Sequence, residues 1–294
     1  MHKKKMLIII VITIITIMVL EYANKKTNNL KKNYNTILSS NLNNEKQEIT
    51  IYDIEDGFLK VSYNPKAEKN KYNLDKYLKK NKNFYSYEDE NYKSKFGIDV
   101  SLYQGDIEWK KVKNAGINFA ILRLGFRGYG QDGKIVLDSK FEENYNNAIN
   151  EGIEIGVYFF SQATNLEEAQ EEAKFVLKNI KDKEIKYPVI FDLEKIKYDV
   201  ARTDNLNVNE ITNITLEFCK EIEKNGYEPC IYGNAKTFST KLKLEEFNGY
   251  KKWYADYQEI PIYPYEFNIW QYTESGNVDG INGNVDLNIC FLEK

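Results

Sequence analysis

The sequence has very little histidine and cysteine, and this shortage excludes several classes of catalysis. The one histidine is His2, so Ser-His and Cys-His nucleophile pairs and histidine-based zinc sites lack their central residue. The three cysteines, Cys219, Cys230 and Cys290, are too few and too widely spaced for a disulfide scaffold, and none stands in a C-x-x-C pair. We therefore expect buried free thiols, and any catalysis by this chain must depend on carboxylates.

An excess of positive charge is also missing. Lys and Arg together number 41 against 44 Asp and Glu, which gives a net charge of -3 and no overall positive field to hold nucleic acid. We expect no nucleic-acid partner. At about 100 to 200 residues per domain, 294 residues allow one large domain with extra segments, or two domains.

The amino terminus is typical of a targeting segment. A basic stretch at residues 3–5 precedes an apolar run at residues 6–20. This run is shorter than the roughly 20 apolar residues that a full membrane span needs. A cleaved signal peptide over residues 1–23 and a retained membrane anchor over residues 6–23 both remain open. In either case the basic residues stay in the cytoplasm, and we expect an extracytoplasmic protein that is membrane-anchored or secreted.

Residues 24–94 are rich in Asn, Lys and Tyr and predict a stalk rather than an independent enzyme. Two short alternating strands flank the turn Glu55-Asp56-Gly57, which predicts a β-hairpin at residues 49–63. A lone hairpin is only marginally stable in water. We interpret the segment as a solvated spacer, in which a small element can dock on the main domain.

From residue 95 to residue 294, short apolar runs alternate with helical patterns. Helical patterns separate the first five runs, and this arrangement predicts parallel βαβ units. The last connections are too short for full helices, so the closing third should be irregular. The sequence therefore predicts an α/β fold with a compact, TIM-like (β/α) barrel over residues 95–294. The runs are FGIDVS (96–101), FAILRLGF (119–126), EIGVYFFS (154–161), PVIFDLE (188–194), EPCIYGN (228–234), KKWYADY (251–257), FNIWQYT (267–273) and VDLNICF (285–291).

Polar residues lie at the middle or near the C-terminal end of these predicted strands, where barrel enzymes carry their active sites. For Asp256 the structural and the functional interpretations weigh equally. For the other four acids together a purely structural role is implausible, because unpaired buried carboxylates are costly. The polar set is Asp99, Arg123, Tyr158, Asp192, Glu194, Tyr232, Asp256, Gln271 and Asp286.

The most informative segment is PVIFDLE at residues 188–194. Asp192 and Glu194 stand two apart in a predicted strand, so both side chains leave the same face with backbones about 6.5 to 7 Å apart. Two adjacent carboxylates repel when both are ionised, which raises the proton affinity of one of them. A protonated acid beside an anion is the pair that glycoside hydrolysis needs.

Seven motifs follow one another along the predicted barrel: FGIDVSLYQGDIEW (96–109), ILRLGFRGYG (121–130), GVYFFSQA (156–163), PVIFDLE (188–194), WYADY (253–257), WQYT (270–273) and VDLN (285–288). Together they resemble glycoside hydrolase family 25, the Chalaropsis-type lysozymes. The resemblance runs from about Phe96 to Phe291 in the family's order and spacing, and it does not cover residues 1–90. It implies a (β/α)5β3 barrel and hydrolysis of the β-1,4 bond between N-acetylmuramic acid and N-acetylglucosamine in peptidoglycan, so a secreted form is expected in the cell wall.

The resemblance also implies site residues. Glu194 matches the family's general acid and Asp192 the neighbouring carboxylate, while Asp99 and Asp286 match the other two acids. The residues expected to bind the sugars are Tyr158, Trp253, Gln271, Arg123, Tyr232 and Asp256. No metal or organic cofactor is implied, and the expected partner is the glycan strand of peptidoglycan.

Two routes remain open for the attack on the anomeric carbon. In the favoured route Asp192 orients and stabilises the 2-acetamido group of the substrate as it attacks, which retains the configuration. In the other route an Asp activates water on the opposite face, which inverts it. The alternative from a different class is a non-catalytic wall-binding protein on the same barrel, which would bind peptidoglycan sacculi without clearing them.

Overall fold

The computed structural model describes residues 47–73, 77–80 and 84–294, and for residues 77–80 it describes the backbone alone. The apolar run at residues 6–20, with both interpretations of the amino terminus, lies outside these residues. Within the described residues, no helix is long and apolar enough to cross a lipid bilayer.

Eight strands form a closed barrel. In chain order they are β5 (Tyr92–Val100), β6 (Phe119–Arg127), β8 (Glu154–Phe160), β9 (Val189–Asp192), β10 (Pro229–Asn234), β11 (Lys251–Ala255), β12 (Ile269–Gly276) and β13 (Val285–Glu293). Each strand pairs with the next in this order, and β13 pairs with β5 to close the barrel. The pairs from β5 to β12 are parallel, and β13 runs antiparallel to both β12 and β5. A short strand, β7 (Ile135–Leu137), pairs with β6 outside the barrel.

Helices connect only the first five barrel strands. They are α1 (Trp109–Asn114), α2 (Phe141–Asn150), α3 (Leu166–Ile180) and α4 (Val208–Lys224). A π-helical turn (Thr237–Lys241) and a 3₁₀ turn (Leu244–Phe247) join β10 to β11, and loops make the last two connections. The antiparallel pair β12–β13 needs no crossover helix, whereas β10–β11 and β11–β12 are parallel pairs that short turns and a loop connect without a full helix. The predicted modified (β/α)5β3 barrel is confirmed.

Local sequence explains where the two longest helices begin. The side chain of Asn165 accepts a hydrogen bond from the Glu168 amide at the start of α3. At the start of α4, Asn207 and Glu210 form a reciprocal capping box. Both arrangements satisfy amide groups that have no partner inside the helix.

The barrel interior is filled by side chains from every second strand position. Phe119 stacks on Tyr187 inside the barrel, with ring centroids 4.3 Å apart. A side chain at Gly97 would meet the Phe119 ring at 2.2 Å, so this position must be glycine for the ring to fit. Cys230 and Cys290 are buried free thiols in the same interior, as expected. The opposite faces of the strands pack against the helices.

The described part of the predicted stalk packs on the barrel. Strands β1 (Glu48–Asp53) and β2 (Gly57–Ser62) form a hairpin, and a second hairpin joins β3 (Tyr77–Lys80) to β4 (Phe84–Tyr87). Every second residue of β1 is buried: Ile49 and Ile51 lie in the main core, and Asp53 is a buried acid on the same face. The Tyr63 ring stacks on Tyr265 with centroids 5.8 Å apart. The solvated-spacer interpretation therefore does not describe residues 47–73, because their alternate apolar side chains cover barrel surface.

Candidate active site

A groove of about 770 Å³ opens at the C-terminal end of the parallel strands. Four residues of the predicted polar set line it: Glu194, Tyr232, Gln271 and Asp286. The other residues that line it include Glu55, Tyr129, Phe160, Lys197, Tyr198, Tyr257, Glu274 and Asn284. The groove therefore combines acids with aromatic side chains, the combination that a sugar chain requires.

Strand β9 ends at Asp192, two residues earlier than predicted, and Asp192 is buried. Glu194 lies in the segment that follows the strand and lines the groove. Beyond that point, the Ser161 amide donates to the Asp192 carbonyl at 2.6 Å. The side-chain amide of Gln162 donates to the Glu194 carbonyl at 3.2 Å, and Gln162 in turn accepts from the Thr203 hydroxyl at 3.0 Å. The main chain from Asp192 to Glu194 is thus fixed by the segment that follows β8.

Asp99 lies at the centre of a buried hydrogen-bond network. Its Oδ2 accepts from Asn288 Nδ2 at 2.7 Å and from Gln271 Nε2 at 3.0 Å. Asp286 stands opposite Asp99 in the pairing of β13 with β5. Burial, and then the negative charge of Asp99, raise the pKa of Asp286 to about 9. Burial also raises the pKa of Asp99, and the hydrogen bonds that it accepts oppose this shift. The two acids therefore interact as a pair, in which protonated Asp286 can donate a hydrogen bond to Asp99.

The network continues to aromatic residues of the groove. Gln271 Oε1 accepts from the hydroxyl groups of Tyr232, at 2.9 Å, and Tyr257, at 3.1 Å. Asn288 Oδ1 accepts from the indole Nε1 of Trp253 at 2.8 Å. These contacts fix the side-chain amide orientations, so both amide NH₂ groups point at Asp99.

Trp253 does not face the groove. Its side chain is 1% exposed and packs beneath Tyr232, with ring centroids 4.5 Å apart. The Tyr158 ring also meets the Trp253 ring edge-on, with ring centroids 6.1 Å apart. Direct stacking of Trp253 on a sugar is therefore excluded in this conformation, and Trp253 supports the half-buried Tyr232 instead.

Asp192 is a buried acid with an unpaired oxygen. Burial raises its pKa well above the ordinary range, the charges of Glu194 and Asp99 raise it further, and Arg123 opposes them. Among the described residues, nothing hydrogen-bonds its buried Oδ1 atom. A buried polar atom without a partner is costly, so this oxygen is suited to accept a hydrogen bond from a bound ligand.

Glu194 is more open than Asp192, and solvent reaches its side chain across the groove. Desolvation, followed by the negative charge of Glu55, raises the pKa of Glu194 to about 7, while Lys197 opposes the shift. A carboxyl group with this pKa can both donate and accept a proton near neutrality.

Arg123 lies on the inner face of β6, near the acids. Its Nε donates to Asp138 Oδ2 at 2.7 Å, and its guanidinium lies 4.9 Å from the centre of the Tyr103 ring. Tyr158 is half-buried and stands opposite Arg123 in the pairing of β6 with β8. Burial raises the pKa of Tyr158 well above its ordinary value; Arg123 opposes this shift, and the charges of Asp99 and Asp192 add to it. Both residues therefore border the acids without lining the groove itself.

Asp256 lies outside the groove, contrary to its expected role in substrate binding. Its carboxylate is fully buried and accepts from the Tyr254 hydroxyl at 3.0 Å and from the Gln258 amide at 2.8 Å. Because side chains alternate along a strand, Tyr254 and Asp256 share the face of β11 opposite Trp253, which is turned toward the outer layer. Asp256 therefore has a structural role, as the buried acceptor for Tyr254 and Gln258.

Sequence reasoning missed several residues of the site. Asn288 follows Asp286 by two positions, so the period of a strand could have placed it on the same face. Tyr257 closes the motif WYADY and could have been included with it. Glu55 lies in the hairpin turn, and nothing in the sequence connects that turn with the acids of the barrel. Among the described residues, no group of three or more His, Cys, Asp or Glu could hold a metal ion.

Comparison with known proteins gives a consistent family assignment. Residues 98–281 match the model for glycosyl hydrolases family 25. YegX of Escherichia coli is 30% identical over 197 residues, covering 66% of this chain and 68% of YegX. Lysozyme M1 of Streptomyces globisporus is 29% identical over 205 residues, covering 65% of this chain and 66% of the lysozyme. The chain thus spans about two thirds of both curated relatives.

A solved structure adds to the family match. The bacterial lysozyme from Streptomyces coelicolor superposes with a TM-score of 0.55 at 26% identity, covering 66% of this chain and 90% of that chain.

Proposed function

The chain belongs to glycosyl hydrolases family 25, and on that premise we propose that it hydrolyses peptidoglycan at the β-1,4 bond between N-acetylmuramic acid and N-acetylglucosamine. The strongest support is the presence of two acids two residues apart. The pKa of Glu194 is raised to about 7, and the buried Oδ1 of Asp192 has no hydrogen-bond partner among the described residues. The names of two similar proteins, Lysozyme M1 and a bacterial lysozyme, agree with it.

Glu194 acts as the general acid in this proposal. It faces the groove, it retains its proton near neutral pH, and the glycosidic oxygen needs a proton to leave as an alcohol. Once the leaving sugar departs, the ionised Glu194 accepts a proton from the attacking water. A pKa near neutrality suits both steps.

Asp192 orients the 2-acetamido group of the muramic acid residue. The acetamido N–H donates to the unpaired Oδ1, and the acetamido carbonyl oxygen attacks the anomeric carbon as the glycosidic bond breaks. Asp192 and Glu194 repel when both are ionised, so the pair holds at least one proton. A bound N–H stabilises the anion at Asp192 and leaves that proton on Glu194, where the leaving oxygen needs it.

Asp99 and Asp286 form an interacting acid pair beside the reacting sugar. Burial raises the pKa of Asp99, and the hydrogen bonds from Asn288, Gln271 and Asp286 oppose that rise because they stabilise its anionic form. In its ionised form Asp99 favours the positive charge that develops at the anomeric carbon. Tyr232 and Tyr257 present half-buried rings along the groove, where they contact the sugar faces.

The place of action follows from the substrate. Peptidoglycan lies outside the cytoplasmic membrane, so the protein acts there, either secreted or held by residues 6–23. In this organisation residues 1–23 serve as the targeting segment, and residues 95–294 form the hydrolase barrel with the described part of 47–94 packed on it.

Digestion of purified peptidoglycan by the full chain, followed by borohydride reduction, tests the proposed bond. New reducing ends on muramic acid are the expected result. Ends on glucosamine, or sacculi that bind the protein without any new ends, would refute it, and the second result would indicate a wall-binding protein. Proton NMR of the first-formed anomer tests the route, because the assisted attack retains the β configuration and direct attack by water inverts it.

A further inference from the structure

The hairpin β1–β2 is fixed at the groove end of the barrel by one buried acid. Asp53 is fully buried, and its Oδ1 accepts from the amides of Glu55, at 3.0 Å, and Asp56, at 3.1 Å. Its Oδ2 accepts from the Lys236 amide at 3.0 Å, two residues after β10 ends. The side chains of Lys236 and Asp56 form an ion pair across the same contact. The turn at residues 54–57 is therefore tied to the C-terminal end of a barrel strand.

This anchoring brings Glu55 to the groove. Glu55 and Lys197 both line it together with Glu194, and Lys197 Nζ lies 3.0 Å from Glu55 Oε1. Lys197 stands three residues after Glu194 in the same loop. The ion pair thus joins the hairpin to the loop that carries the proposed acid, and it places one negative and one positive group beside that acid.

We propose that Glu55 is a positioning residue of this active site, delivered by a hairpin outside the family-matched residues 98–281, and that its ion pair with Lys197 sets the charge balance around Glu194. The inference rests on the proposed function, since it concerns the acid of that reaction. Glu55 acts through Glu194 and does not touch the reacting atoms.

The two members of the pair act on Glu194 with opposite sign. Desolvation is the largest cause of the raised pKa of Glu194, Glu55 is the next and raises it, and Lys197 lowers it. The other charged or titratable groups that act on Glu194, or on which it acts, lie on the surrounding strands and loops and are Asp99, Asp192, Tyr232, Tyr257, Glu274 and Asp286. Substitutions at Glu55 or Lys197 leave all six of these residues in place.

Two single substitutions should therefore move the alkaline limb of kcat/KM in opposite directions. Glu55→Gln removes a negative charge and leaves Lys197 unpaired, so the limb should move to lower pH by about half a unit. Lys197→Met leaves Glu55 unpaired, so the limb should move to higher pH by about the same amount. The double variant should return toward the wild-type limb, and 1 M salt should shrink both shifts.

Rates of peptidoglycan cleavage by the full chain, measured over a range of pH, test this proposal. Glu48→Gln is the matched control, because Glu48 is an exposed glutamate at the far end of the same hairpin; it should leave the limb in place. Opposite shifts in the two single variants support the inference. Limbs that stay fixed, or that move in the same direction, overturn it, even if the rates fall.

A second readout separates this inference from the proposed function. Carboxyl NMR titration of Glu194 in the same variants should give midpoints that move with the same opposite signs, whether or not peptidoglycan is the substrate. Wild-type protein that cleaves no glycan refutes the proposed function alone. Midpoints that do not differ between the variants refute the role of Glu55.

Discussion

Replacing Glu194 by Gln gives a sharp test of the proposed acid. Gln has nearly the same shape and keeps a hydrogen-bonding side chain, but it has no proton to give to the leaving oxygen. Gln162 holds Glu194 through its main-chain carbonyl, so the substitution leaves that contact unchanged. Loss of general acid catalysis should lower kcat by about 10² to 10⁴, which is roughly 3 to 5 kcal/mol of transition-state stabilisation.

The assay compares two leaving groups on the same glycan. A natural sugar leaving group needs a proton, whereas an acidic aryl leaving group departs without one, so the variant should lose far more rate on the first substrate. Glu228→Gln is the matched control, because Glu228 is an exposed glutamate at the opposite mouth of the barrel; its rates should equal those of the wild type. Equal losses on both substrates, or full activity on the natural glycan, would refute the role of Glu194.

Protein stability provides the folding control for this variant. The pKa of Glu194 is raised in the fold from an ordinary value of 4.5 to about 7, so the fold disfavours the charged form. The contribution of this group is present at low pH and is lost as pH rises through about 7. At pH 9 the Gln variant should therefore melt no lower than the wild type, and a lower melting temperature would contradict the cause given for the shift.

Three further predictions concern the pH dependence of activity, the buried contact of Trp253 and the anchoring of the hairpin. The kcat/KM of the wild type should fall above about pH 7, tenfold per unit, as Glu194 loses its proton; a profile that stays flat to pH 9 would contradict this. Trp253→Phe leaves the buried Asn288 Oδ1 without its donor, so urea denaturation should show a loss of about 1 to 3 kcal/mol; an unchanged midpoint would argue against the contact. Asp53→Ala removes the acceptor of three backbone amides, one of them at Lys236, so proteolysis within residues 47–62 should accelerate about tenfold or more; equal cleavage rates would mean that Asp53 does not anchor the hairpin.

The barrel could be predicted because its strands leave a strong periodic pattern. Each predicted run coincides with a barrel strand to within a few residues, and the short final connections correctly indicated an irregular closing third. Positions and lengths of strands are consequences of local spacing, which a sequence displays directly. The register that brings Asp286 of β13 opposite Asp99 of β5 joins distant parts of the chain and is seen only in the fold.

The roles of individual side chains depended on contacts that no local pattern encodes. Trp253 occurs in an aromatic motif, but its indole is bound to Asn288 and covered by Tyr232, so it is a support rather than a sugar platform. Asp256 stands one position beyond β11 and turns to a hydroxyl and an amide outside the groove. Only the three-dimensional packing distinguishes these arrangements from the expected ones.

The hairpin was the least predictable part of the site. Its strands and its turn were readable, but the docking surface is built from residues far along the chain, such as Lys236 and Tyr265. Solvent exposure of an Asn- and Lys-rich segment was therefore the natural expectation. In the fold, Ile49 and Ile51 of β1 are buried against the barrel, so the hairpin is docked rather than exposed. This docking places Glu55 at the groove.

The central claim is that Glu194 keeps its proton close to neutral pH. Carbon-13 NMR titration of the glutamate carboxyl groups in the full chain, with Glu194 assigned by its disappearance in the Gln variant, measures this directly. A midpoint near 7 is the expected result. A midpoint near the ordinary value of 4.5 would contradict the claim, because Glu194 would then be ionised throughout the neutral range and could not act as the acid.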